Sequence, residues 1–136
     1  MRQTIAVPAG LAPPRIRDGG IAYSHVVIAS GRKLVYVAGQ LARDANGAIV
    51  GRGDMAAQIR QVCENLGLAL AAAGASFADV VETTTYVTNM AEFMRNASVR
   101  VEYFGSEPPT STTIGISRLA DPDAMIEIRV TAVVDG

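Results

Sequence analysis

Chemistry in a protein needs side chains that move protons, attack carbon or hold a charge, and this sequence of 136 residues offers few in suggestive positions. Glu127 is the first. It lies in the segment 125–134, where Ile126, Ile128, Val130, Ala132 and Val134 alternate with Glu127, Arg129, Thr131 and Val133. A strand with that alternation sends the two sets to opposite faces. A carboxylate flanked by isoleucines then needs water, Arg129 two residues on, or a binding site to hold it. In a site near an interface it would serve as a general acid or base, its pKa raised by burial. The run Thr110-Ser111-Thr112-Thr113 offers hydroxyls, but no histidine or aspartate is placed by sequence to make Ser111 a nucleophile. His25 is the single histidine and reads as structural at the start of a strand. Cys63 is the single cysteine, which excludes an intrachain disulfide and a cysteine metal cluster. No glycine-rich phosphate loop, metal-spaced His/Asp/Glu cluster or dinucleotide motif is present, so neither metal nor cofactor is expected.

The elements that must position these residues read as an α+β domain. Residues 1–22, rich in Pro and Gly, form an N-terminal arm lying over a single domain that spans residues 1–136. Two apolar runs, 25–30 and 33–38, are split by Gly31-Arg32 and predict a hairpin. Asn46-Gly47 predicts a tight turn before a short strand at 48–50. In 54–73, Met55, Ile59, Val62, Leu66, Ala69 and Ala73 recur at intervals of three and four, predicting a helix with one apolar stripe. Asp54 suits its N-cap and Gly74 its left-handed end, and Cys63 falls on the apolar side as core. A threonine-rich strand at 80–87 precedes a second helix, opened by Asn89 with Glu92 three residues on and ended by Gly105 and Pro108-Pro109. Phe93, Ala97, Val101 and Phe104 mark its buried side. Strands at 111–117 and 125–134 close the chain. Two helices cannot cover both faces of such a sheet, so they are expected on one. The other face is left to a partner subunit or to water.

In this order and spacing the chain resembles the Rid (YjgF-like) family, the reactive-intermediate deaminases. The matching segments are Ala22-Tyr23-Ser24, Val37-Ala38-Gly39-Gln40, Gln61 to Leu66, Ala72-Ala73-Gly74-Ala75, Val80 to Thr84, Glu102-Tyr103-Phe104-Gly105, Pro108-Pro109, Ser117-Arg118-Leu119 and Ile126-Glu127-Ile128. The resemblance implies a chorismate-mutase-like fold: a mixed β-sheet with two helices on one face, assembled as a homotrimer with clefts between subunits. It further implies hydrolysis of reactive imines and enamines to a 2-oxo acid and ammonia. Family members bind the substrate carboxylate through an arginine after the double proline, where a guanidinium makes two hydrogen bonds to it. Here that position falls on Ser111, and a polar family position on the helix falls on Ala97, with Asn96 one place away. By the same resemblance Tyr23 lines the cleft with Ser111, Glu127 is its glutamate, and Arg118 is a further candidate contact.

Three functions follow in order of preference. The first is a cofactor-independent hydrolytic deaminase acting on a small imine, enamine or related metabolite. In it Glu127 or a backbone carbonyl would activate water while Ser111 and backbone amides hold the substrate. The second is a trimer that binds a small metabolite without chemistry. The third is the endoribonuclease or translation inhibitor often named for such proteins. With 12 basic and 13 acidic residues scattered along the chain, nothing resembles the clustered Lys and Arg that nucleic acid requires. Nor is there an apolar run long enough to span a membrane or an apolar leader after Met1-Arg2-Gln3-Thr4, so the cytoplasm is the expected location.

Overall fold

The computed structural model describes residues 1–14, 16, 17 and 20–136, without the side chains of 16, 17 and 20. Its strands are β1 (Arg2–Ile5), β2 (Ile16–Arg17), β3 (Gly20–Ile21), β4 (Val26–Ala29), β5 (Lys33–Gln40), β6 (Val80–Val87), β7 (Thr110–Gly115) and β8 (Ile126–Val134). Its α-helices are α1 (Met55–Ala72), α2 (Met90–Asn96) and α3 (Ser98–Phe104). The main sheet has the order β5-β8-β6-β7, with β6 and β7 parallel and the other pairs antiparallel. This is the expected mixed α+β sheet.

Local rules account for α1. The Asp54 side chain accepts from the Ala57 N–H, and Gly74 takes a left-handed φ of 73° just past the end, where a Cβ would be strained. Met55, Ile59, Val62, Cys63, Leu66 and Leu70 are buried. Ala73 is exposed, so the stripe ends on Leu70 instead. These side chains pack on the face of the sheet that carries Val37, Ile126, Ile128, Val130 and Ala132.

Three expectations are corrected. The runs at 25–30 and 33–38 do not pair: β4 pairs antiparallel with β1 from the arm, while β5 pairs with β8. At the crossing, the Arg32 N–H donates to the Val134 carbonyl and the Ser30 N–H to the Met1 carbonyl, so the chain changes sheets where a turn was expected. The second helix is divided at Ala97, which ends α2 and begins α3 while staying in the right-handed helical region. The short strand at 48–50 is reduced to a single bridge between Arg43 and Ile49.

Cys63 is fully buried under this layer, and burial pushes its thiol from 9.0 up to about 12. It is therefore expected to react slowly with a thiol reagent in the native protein and rapidly after denaturation; equal rates would show the helix to be wrongly phased. The sign of the pH effect follows. Below pH ~9 both states keep the proton; above it only the unfolded state releases it, so stability falls as pH rises towards 12, by about 1.4 kcal/mol per unit. Urea midpoints at pH 8 and 10 measure the slope, which Cys63→Ala removes.

Candidate functional site

The site is built at the β7 edge of the sheet. Ser24 is buried, its hydroxyl donates to the Pro108 carbonyl at 2.6 Å, and its N–H donates to the Pro109 carbonyl at 3.1 Å. These bonds fasten the segment 22–25 to the double proline that leads into β7. Pro109 and its predecessor cannot continue a helix, so the chain enters β7 extended. Between that segment, β7 and the α2–α3 pair lies an open cleft of about 660 Å³. Tyr23, His25, Ser111, Thr110, Thr112 and Thr113 supply its polar wall, and Phe93, Met94 and Ala97 its apolar one. Since β7 is an edge strand, part of its backbone N–H and C=O groups have no strand partner in the sheet and can meet a ligand.

Register decides which β7 side chains face the helices. Ser111 pairs with Thr83 and Thr113 with Thr85, and Thr85 stands opposite Ile128 on the helix-covered face. Ser111 therefore points towards α3, and there it meets Arg100. The guanidinium Nη1 donates to Ser111 Oγ at 3.1 Å and to Thr85 Oγ1 at 3.5 Å, while Nη2 donates to the Ala22 carbonyl at 3.5 Å. Its carbon lies 5.9 Å and 6.0 Å from the Phe93 and Phe104 ring centres, within cation–π range. Arg100 is only 7% exposed, and burial pulls its pKa down, with Cys63 opposing the shift slightly.

Arg100 escaped the sequence reading. It sits at 93, 97, 100, 104 spacing, inside the apolar stripe of the second helix, which is the signal that was available. A charged residue in such a stripe is buried for a reason or exposed at its margin.

The residues chosen from sequence divide into two groups. Tyr23 and Ser111 come together in the cleft, as does Ala97. His25 joins them, its ring edge-on to Tyr23 and its Nε2 within 2.6 Å of the Ala12 carbonyl. Asn96 turns back to the Glu92 carbonyl of its own helix. Arg118 is exposed in the loop between β7 and β8 and does not line the cleft. Glu127 pairs with Tyr86 on the face away from the helices, and a Cβ on Gly39 would lie 2.7 Å from its carboxyl carbon. Glu127 thus lies over Gly39, on the opposite face of the sheet from Ser111. It forms no ion pair with Arg129. Among the described residues no group of His, Cys, Asp and Glu is arranged to hold a metal ion, and no helix is long and apolar enough to cross a membrane.

A mixed sheet with helices on one face and a cleft along its parallel edge strand defines a protein of the YjgF-like fold. The family model described as Endoribonuclease L-PSP matches residues 18–134, so the chain belongs to that family, the Rid/RutC proteins. It is 34% identical to the 3-aminoacrylate deaminase RutC of Acinetobacter baylyi, over 97% of this chain and 98% of that protein. A RutC family protein of Pyrococcus horikoshii is 36% identical over 81% of this chain and 85% of its own length. Among solved structures, the Rid-family protein YyfB of Yersinia pestis superposes with a TM-score of 0.85 at 36% identity, covering 98% of both chains.

Proposed function

We propose that the protein is a cofactor-independent hydrolytic deaminase of a small imine or enamine, working as a homotrimer in clefts completed by neighbouring copies. The observation that carries this reading is a concave, hydroxyl-lined cleft in a chain 34% identical to a 3-aminoacrylate deaminase over nearly all of both proteins. An enamine first gains a proton on the carbon β to nitrogen and loses one from nitrogen, becoming the imine. Water adds to the carbon of the C=N bond, giving a carbinolamine, and ammonia then departs while the hydroxyl oxygen loses its proton and becomes the carbonyl. One group must take a proton from water and return it to nitrogen. We assign that task to Glu127 of a neighbouring copy; this reading is supported by its position on the open face of the sheet, opposite the helices.

The same face supports the assembly. Leu34 and Tyr36 on β5 are 62% and 74% exposed there, and Ile114 on β7 joins them. Burying such side chains against a second copy stabilises association by roughly 25 cal/mol for each Å² of apolar area. A ribonuclease role is supported by the family model's description; the balance of basic and acidic residues, at a net charge of −1, supplies no electrostatic footprint for RNA.

The test joins an assay to a mass. Ammonia should be released from freshly generated 2-aminoacrylate or 3-aminoacrylate faster than without protein. Light scattering should give three times the 14.2 kDa chain mass. No acceleration on either compound would leave only a binding role, and a clean monomer or dimer mass would sink the shared cleft.

A further inference from the structure

We infer that Arg100 is the anion anchor of the cleft, holding the carboxylate of a substrate whose apolar part lies along Phe93, Met94 and Ala97. The inference rests on the proposed cleft and specifies what the cleft selects. A buried cation costs several kcal/mol of lost hydration unless charge or good hydrogen bonds compensate. Arg100 has no acidic partner among the described residues: none of the five ion pairs includes it. A guanidinium has five N–H donors. The described residues supply three hydrogen bonds to neutral oxygens, two of them at 3.5 Å. The group is therefore positioned but under-compensated, beside a cleft wide enough for a small ligand.

Its surroundings suit a monocarboxylate. The Phe93 and Phe104 rings lie 5.9 Å and 6.0 Å from the guanidinium carbon, and Arg100 lines the cleft beside Ser111, where a ligand would reach both. Ser111 Oγ accepts from Nη1, so the serine's own proton remains free to donate to the same anion. One charge-assisted fork plus one hydroxyl matches two carboxylate oxygens. Among the described residues that line the cleft Arg100 is the only Lys or Arg, which suits a ligand with a single carboxylate. The apolar wall favours a short alkyl substituent. The cation thus enters from helix α3 and meets Ser111, the strand position where the family resemblance implies the carboxylate-binding arginine.

The experiment uses 2-oxobutanoate, its neutral amide and 2-oxoglutarate as calorimetric probes of the full-length protein. Wild type should bind 2-oxobutanoate at least about tenfold more tightly than the amide and more tightly than the dicarboxylate. Arg100→Met should abolish the carboxylate-over-amide preference, and Arg100→Lys, which keeps charge but loses the fork, should retain part of it. In wild type labelled with ¹⁵N-arginine, the side-chain N–H resonance that is missing in Arg100→Lys should shift on adding 2-oxobutanoate and not the amide, a readout that needs no unstable variant. An undiminished preference in Arg100→Met, equal affinity of wild type for acid and amide, or an unmoved Arg100 resonance would overturn the anchor. Carboxylate binding without ammonia release would leave the anchor standing and remove the deaminase reading. Turnover unchanged in Arg100→Met would do the reverse.

Discussion

Ser111→Arg, which puts an arginine where the family resemblance implies one, is expected to destabilise the protein and to gain no carboxylate affinity. Ser111 Oγ already lies 3.1 Å from Arg100 Nη1; Arg100 is buried and Ser111 half-buried. A second guanidinium in that space would stand about 4 Å from the first. At the effective dielectric of a partly buried site two like charges repel there by about 4 kcal/mol, and movement of the new side chain into the cleft would relieve part of it. We expect the thermal midpoint to fall by roughly 10 °C, since about 2–4 kcal/mol is a large share of a small domain's stability. The pair of variants makes the argument specific. Arg100→Met with Ser111→Arg moves one cation from helix to strand, so the double variant should be more stable than Ser111→Arg alone and should recover carboxylate binding. A double-mutant cycle measures that coupling. Additive effects, or a Ser111→Arg protein as stable as wild type, would show that the two positions do not share one space.

Gln58→Leu should produce the largest loss of stability among single polar substitutions, about 2–6 kcal/mol. Gln58 is fully buried in α1, and its Nε2 donates to the carbonyls of Gly51 at 3.0 Å and Asp123 at 2.9 Å. Its Oε1 accepts from the Met125 N–H at 2.8 Å. Leucine fits the volume but leaves the Asp123 carbonyl and the Met125 N–H without partners, each costing about 1–3 kcal/mol when buried, while the Gly51 carbonyl still accepts from the Asp54 N–H. Two loops that lead into α1 and β8 would lose their common tie, so the effect should appear in denaturant midpoints before any change in the cleft's ligand preference. A loss below about 1 kcal/mol would mean that water replaces the side chain.

Gln58 also shows how far sequence reasoning carries. Its neighbours Met55, Ile59 and Val62 announce a helix by their spacing alone, because the 3.6-residue period is a local property of the backbone. Nothing local says that Gln58 will reach Asp123 and Met125, 65 and 67 residues away. The same division holds for the strands. The alternation of 126–134 predicts one buried and one open face, and Ile126, Ile128, Val130 and Ala132 are buried. Pairing is another matter. The sequence around Gly31 has the form of a hairpin turn, yet β5 pairs with β8 and β4 with β1, because hydrogen bonds between strands depend on which chain segments are brought alongside.

The sequence by itself determined α1 with its caps, the strands that became β5, β6 and β8, the burial of Cys63 and, through ordered segments such as Val37-Ala38-Gly39-Gln40 and Ile126-Glu127-Ile128, the family. It also placed Tyr23 and Ser111 in the segments that form the cleft. Only the tertiary structure decided that Glu127 and Ser111 occupy opposite faces of one sheet, a consequence of the β6–β7 and β6–β8 registers. Only it decided where the cleft's positive charge comes from. Arg100 and Ser111 are eleven residues apart on different elements, and the loop through Gly105 and Pro108-Pro109 folds one onto the other. Side-chain identity is written residue by residue, but the electrostatics of a site depend on distances in space, and those are set when α3 packs against the sheet.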